Sequence, residues 1–245
     1  MTGAAAATGR AIALRLGAED ALVVVADIDA EGGQDTVRRI QAQGGRATFV
    51  RADVTQDADV ERMVVFADQG RGGPHILVNN AGGGGHLDPH FPDATPSEWR
   101  AMLALNLTGA MLATQLALAP MRAGGGGVVV NIASTAGLGF GPYQSPEYGA
   151  AKAGLIRFTA SLPQLQKRMN VRVNCVVPDW IATERAQDEL ARMTPAERAA
   201  APRPVAMEEV ADAVVEFVRD EELAGRVMVL RGDEPRRLLD PGGVA

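Results

Sequence analysis

Six short runs of apolar, mostly β-branched residues recur along this chain, and between them the pattern changes to the helical period. The runs are Leu22 to Val25, Thr48 to Val50, Ile76 to Val78, Val128 to Ile132, Val171 to Val177 and Val227 to Leu230. Strands apolar on both faces are covered on both faces, which marks a parallel sheet rather than one facing water. Helical patterns fall between them, at about residues 9–18, 31–43, 57–69, 97–121, 148–168 and 207–219. This alternation predicts an α/β fold with a doubly wound parallel sheet and right-handed crossovers. Ligands of such sheets bind outside the carboxyl ends of the strands. The residues that follow strand ends are therefore the ones to read for chemistry.

A few bulk properties narrow the field. At 245 residues with 47% apolar content, the chain suits a single domain, 1–245, with an ample core. A net charge of −6, dispersed rather than in blocks, leaves no basic footprint for nucleic acid. The single cysteine, Cys175, lies in an apolar run and reads as a buried structural thiol in a reducing compartment. No run reads as the roughly 18 apolar residues of a membrane span. The N-terminus lacks the basic start of a signal peptide. The expectation is a cytoplasmic protein with no membrane partner.

Tyr148 and Lys152 stand one helical turn apart, so phenol and ammonium can project into one cleft. A cation beside a phenol favours the phenolate and pulls its pKa below the usual value of about 10. A tyrosine so placed can exchange protons with an alcohol or ketone near neutral pH. Other polar residues follow the strand ends in order. Thr2-Gly3 and Gly9 form a glycine turn opening a helix, whose N–H groups and dipole suit a phosphate. Asp27, with Asp29 as rival, is placed to accept hydrogen bonds from a ribose 2′-hydroxyl and to repel a 2′-phosphate, which favours NAD over NADP. Asp53-Val54, Asn79 to Gly82, Ser134 and the Pro178 to Thr183 segment complete the series, and Asn106 falls in a helix.

Taken together, from Thr2 to about residue 230, these residues resemble the short-chain dehydrogenase/reductase family. The resemblance implies a Rossmann fold and an NAD(H)-dependent oxidoreductase moving a hydride between nicotinamide and a secondary alcohol or ketone. It implies Asn106, Ser134, Tyr148 and Lys152 as a catalytic tetrad. Tyr148 would be the general acid/base, with Ser134 on the substrate oxygen. Lys152 would sit on the nicotinamide ribose and lower the Tyr148 pKa, and Asn106 would hold a relay water. The cofactor would lie along Gly3, Ala6, Thr8, Gly9, Asp27, Ile28, Asp53, Val54, Asn80, Ala81, Gly82, Ile181 and Thr183, as well as Tyr148 and Lys152. Assembly as a homodimer or homotetramer is implied too.

The departures from the family pattern set further expectations. Only Met1 precedes Thr2, where the family has a central strand, so a first strand truncated by a late start or a shortened chain is expected. Ala7 replaces the second glycine of the turn, Asp179 replaces the glycine after Pro178, and Pro163 is expected to kink or break the tyrosine helix around Leu162. Such changes keep a rival reading open: a catalytically silent protein of this fold that binds NAD weakly or not at all and acts through protein contacts. Candidate substrate walls are Gly83 to His86, Phe140 to Gln144, Trp180 and a loop of short helices at 184–206. They show no cluster of Arg or Lys, which suits a small substrate uncharged at its reactive end. His86 and His90 read as solvated loop histidines.

Overall fold

The computed structural model describes residues 1–68, 73–139, 141 and 143–240. In chain order the elements are α1 (Ala7–Gly17), β1 (Leu22–Asp27), α2 (Ala30–Ala42), β2 (Arg46–Arg51), α3 (Asp57–Asp68) and β3 (Ile76–Asn79). Next come α4 (Pro96–Leu103), a π-helical turn (Ala104–Thr108), α5 (Gly109–Ala123), β4 (Gly127–Ile132) and a 3-10 turn (Thr135–Gly137). The rest is α6 (Pro146–Ala160), α7 (Gln164–Met169), β5 (Val171–Pro178), α8 (Glu184–Arg192), α9 (Pro195–Ala200), α10 (Met207–Arg219), β6 (Val227–Leu230) and β7 (Arg237–Leu238). Each apolar run of the sequence is a strand, extended by a residue or more at its ends in every case but Val227–Leu230. Helices cover both faces, as β-branched strands apolar on either side require. The core is accordingly aliphatic, with Val129, Val130, Val173 and Val176 fully enclosed.

All pairings among β1 to β6 are parallel, and β7 adds an antiparallel edge on β6 that no apolar run announced. The sheet is in two pieces. β1 pairs with β2, while β3, β4, β5, β6 and β7 form the larger part. Met1 and Thr2 reach across by backbone hydrogen bonds. The Met1 amino group donates to the Val24 carbonyl (3.0 Å), Ala26 N–H donates to the Met1 carbonyl (2.9 Å), and Thr2 N–H donates to Val78 (3.0 Å). Behind them runs a slot of about 440 Å³, edged by Leu22 to Val24 and Ile76 to Val78 and roofed by Leu16, Met63 and Ala117. Where a first strand would pair β1 with β3 there is thus a strand-shaped gap.

Pro163 divides the tyrosine helix as expected: α6 ends at Ala160, and Pro163 stands at the cap of α7. Two expectations need correction. The 28-residue run Pro96–Ala123 contains an 18-residue window of mean hydropathy 1.5, long and apolar enough by composition to cross a membrane. Arg100 and Asn106 interrupt its apolar pattern in the sequence; in the fold it is a crossover helix that buries Ala113, Ala117 and Met121. His90 is not solvated but 9% exposed, its Nδ1 2.8 Å from Glu147 Oε1. Its partner lies 57 residues away, a contact that local spacing cannot reveal. Cys175 is buried as expected, and burial pushes its thiol up to about 12.

Candidate active site

The strand C-termini and the loops beyond them enclose a cleft of about 550 Å³. Ser134 enters it where β4 ends, Tyr148 and Lys152 from the first turns of α6, and Ile181 and Thr183 from the segment after β5. Gly3, Ala6, Ala7, Thr8 and Gly9 form the wall at the start of α1, with Asn80 and Gly82 facing them. Asp27, Ile28, Asp53, Val54, Ala81 and Asn106 do not line this cleft. Asp27 is instead the last residue of β1, and Asp53 follows the end of β2. Phe140 lies outside the described residues.

Lys152 is buried, at 3% exposure, and its ammonium donates to the Ile132 carbonyl at 3.0 Å. Burial disfavours the charge and lowers its pKa to about 8. Its Nζ sits 5.6 Å from the centre of the Tyr148 ring. The phenol does not respond as the sequence reading expected: its pKa is raised, because burial of the ring outweighs everything else. Ser134, as a hydrogen-bond partner, and the charge of Arg185 pull it down, while Tyr143 pushes it up. Lys152 spends its donor on a carbonyl and is itself desolvated, so it does little for the phenol in this arrangement.

Asn106 occupies the π-helical turn, where the extra residue re-aims a side chain that a regular helix would send elsewhere. Its Oδ1 accepts from Gly83 N–H (2.8 Å) and its Nδ2 donates to the Gly83 and Met102 carbonyls (2.9 and 3.1 Å). Gly82 packs between the two polar groups. A Cβ there would stand 2.8 Å from Asn106 Oδ1 and 3.0 Å from Lys152 Nζ, so only glycine keeps that floor open.

A dinucleotide fits the other end of the cleft. α1 begins at Ala6 with no side-chain cap, so its first N–H groups remain for an anion. Asn80 Nδ2 braces the glycine turn through the Thr2 and Gly3 carbonyls (3.2 and 2.8 Å). Ala7 carries a positive φ of 42°, a backbone conformation that glycine adopts freely and alanine does not. Ala7→Gly is expected to relieve that strain and clear a methyl from the phosphate wall. Titration calorimetry should show NADH binding tightened several-fold, with the melting temperature little changed. Weaker binding would mean the methyl is not in the way.

The two candidate aspartates are sorted by their bonds. Asp29 is spent on capping α2, accepting from Glu31 and Gly32 N–H at 3.1 Å each. Asp27 accepts from Ala5 N–H (2.9 Å) and Asp29 N–H (3.0 Å), which holds its carboxylate at the tip of β1 beside the glycine turn. Asp53 accepts from Thr55 N–H and hydroxyl (2.9 and 2.7 Å), a turn that fixes the start of α3. At the opposite end, the Asp179 carboxylate accepts from the Thr135 hydroxyl at 2.8 Å. Two residues within the segments expected as substrate walls stand out here, though nothing in the sequence assigned either a role of its own. Tyr143 stacks on Tyr148 with ring centres 6.3 Å apart, and Arg185 of α8 lines the same cleft. Neither has a spacing signal; topology alone brings α8 over the tyrosine.

A catalytic-looking cleft at the strand ends of a doubly wound sheet narrows the class to nucleotide-dependent α/β enzymes. The short chain dehydrogenase family pattern matches residues 1–194, and the chain belongs to that family of oxidoreductases. It is 35% identical to cis-4-hydroxycyclohexanecarboxylate dehydrogenase of Sinomonas cyclohexanicum, over 90% of this chain and 88% of the relative. A crystal structure from Burkholderia xenovorans, assigned to the short-chain dehydrogenases/reductases, superposes with a TM-score of 0.83 at 35% identity, covering 94% and 93% of the two chains. A 7α-hydroxysteroid dehydrogenase, solved with NADH and 7-oxo glycochenodeoxycholic acid, gives 0.82 at 27% identity, covering 97% and 94%.

Proposed function

We propose that this protein is an NAD(H)-dependent dehydrogenase that interconverts a secondary alcohol and a ketone, with Tyr148 as the general acid/base. The observation that carries this reading is the meeting of Tyr148, Ser134 and Lys152 on one cleft, with Asn106 directly beneath its glycine floor. Ser134 binds the substrate oxygen beside the phenol, so the proton has a short path between substrate and Tyr148. Lys152 anchors the nicotinamide ribose from beneath the phenol. Asn106 holds the Gly83 backbone and so the shape of the proton exit. Gly3, Ala6, Thr8, Gly9, Asn80, Ala81, Gly82, Ile181 and Thr183 would hold the dinucleotide, whose nicotinamide would supply the hydride chemistry.

Asp27 selects NAD over NADP in this proposal. Its carboxylate accepts from a ribose hydroxyl and repels a 2′-phosphate, and the nearby Arg10 is already paired with Asp35 at 3.3 Å. Ile28, Asp53 and Val54 border the adenine. The 184–206 segment, which folds as α8 and α9, covers the substrate, and the functional unit is a homodimer or homotetramer in the cytoplasm. The strain at Ala7 favours a second reading, a silent member of the fold with weak NAD affinity. One experiment separates them: reduction of NAD⁺ and NADP⁺ over a panel of secondary alcohols, with NADH calorimetry alongside. Turnover with NAD⁺ supports the enzyme; no heat at millimolar NADH and no turnover would leave the silent reading.

A further inference from the structure

The substrate end of the cleft contains a cation that the proton chemistry does not use. Arg185 lines the same cavity as Ser134, Tyr143 and Tyr148, and it stands two residues after Thr183, whose hydroxyl caps α8. Its Nη1 donates to Glu189 Oε1 at 2.6 Å, the one hydrogen bond this guanidinium makes among the described residues. Glu189 is in turn fixed by Trp180, whose Nε1–H donates to its other oxygen at 3.1 Å. A guanidinium has five donors in a planar fork, so most of Arg185's donor capacity is left for a ligand, with Glu189 and Trp180 steadying it from one side.

We infer that Arg185 anchors a carboxylate carried by the substrate away from its reacting carbon, with the Tyr143 hydroxyl as a second donor. This rests on the reading of Tyr148 and Ser134 as the groups that hold the reacting oxygen. The charge of Arg185 is felt at both phenols, whereas that of Asp179 is felt at Tyr143 and not among the influences on Tyr148. Asp179 is moreover satisfied by Thr135. A planar fork matches a planar carboxylate through two parallel hydrogen bonds. A phosphate would call for a second cation, and Lys152 is already held deeper in the cleft by the Ile132 carbonyl. The substrates assigned are thus short hydroxy acids and their keto acids, neutral at the carbon that reacts and anionic at the far end.

The test uses a panel of hydroxy acids, each beside its own methyl ester, with the wild-type protein, Arg185→Met and Arg185→Lys. The wild type is expected to prefer the acids. Arg185→Met should raise KM for the acids roughly ten- to a hundredfold while leaving kcat near normal and the esters within about twofold. Arg185→Lys should recover part of the loss. Equal losses on acids and esters would show that Arg185 only supports α8 through Glu189, and would overturn the inference. So would a wild type that prefers the esters; in that case the dehydrogenase reading stands while the carboxylate anchor falls. Absence of turnover on every alcohol and ketone, with no NADH binding, would instead sink the dehydrogenase reading beneath it.

Discussion

Tyr148→Phe is expected to lower alcohol oxidation by roughly 10²- to 10⁴-fold, the size of a general acid/base contribution. The substitution removes one oxygen from a ring that stacks on Tyr143 and is otherwise packed in place, so the fold has no reason to change. NADH affinity should therefore persist, and the melting temperature should stay within a few degrees of the wild type. The separation matters, because a silent protein would lose nothing. If Tyr148→Phe retains more than a tenth of the turnover, the proton is handled by another group and the assignment fails. The raised phenol pKa sharpens the same test: with the phenol protonated at neutral pH, ketone reduction is the favoured direction there, and alcohol oxidation should climb as pH rises.

Lengthening the chain ahead of Met1 by five residues rich in valine and isoleucine should raise the melting temperature by roughly 5–15 °C. The slot of about 440 Å³ between β1 and β3 has the section of one strand, and the register is already set. Met1 bonds to β1 and Thr2 to β3, so the residue before Met1 would meet Ile76 and Val78, and the one before that Leu22 and Val24. Each buried aliphatic side chain contributes about 1.5–3 kcal/mol, against about 1–2 kcal/mol of backbone entropy per ordered residue. New ladder hydrogen bonds add about 0.5–1.5 kcal/mol each, and for a chain of this size 1 kcal/mol moves the midpoint by roughly 2–4 °C.

The same addition should abolish a pH effect. Burial lowers the Met1 amino pKa from 8.0 to about 6. Below pH 6 the group is charged in both folded and unfolded chains, and the full cost of burying that charge is present. Between pH 6 and 8 the unfolded chain binds more protons, so stability rises with pH, by about 2–3 kcal/mol over the window. An amide in place of the ammonium removes that slope. Denaturant titrations at pH 5.5 and 8 measure it; an unchanged slope and midpoint in the lengthened chain would show that the slot does not accept a strand.

Much of this architecture was legible because it is written in periodicity. Val128 to Ile132 and Val171 to Val177 read as buried strands from their β-branched runs, and Pro163 marks a kink or break in a helix. The positions of Ser134, Tyr148 and Lys152 followed from those elements. What escaped depends on contacts between distant segments. The His90–Glu147 pair, the stacking of Tyr143, the reach of Arg185 and the antiparallel β7 have no local pattern. The phenol's shift was misjudged for a related reason. Spacing reports that Lys152 is near Tyr148, but not that the ring is buried or that the ammonium serves the Ile132 carbonyl.

The break in the sheet also governs how the molecule comes apart. Along that seam the hydrogen-bonded links between the β1–β2 pair and the larger piece are Met1, Thr2 and the Asn80 side chain. Helices bridge it from outside, α1 packing on α2 and α10 and α3 on β2 and α5. With the ladder interrupted there, cooperativity is weaker across the seam than within the larger piece, so the amides of β1 and β2 should exchange with solvent sooner than those of β4 and β5. A ligand lying over the tip of β1 and the ends of β3 and β4 at once would rivet the halves and bring their protection to a common level. Matched exchange rates without any ligand would refute the weak seam. Where the seam holds only through such a ligand, the protein is one folding unit when its cleft is filled and two when it is not.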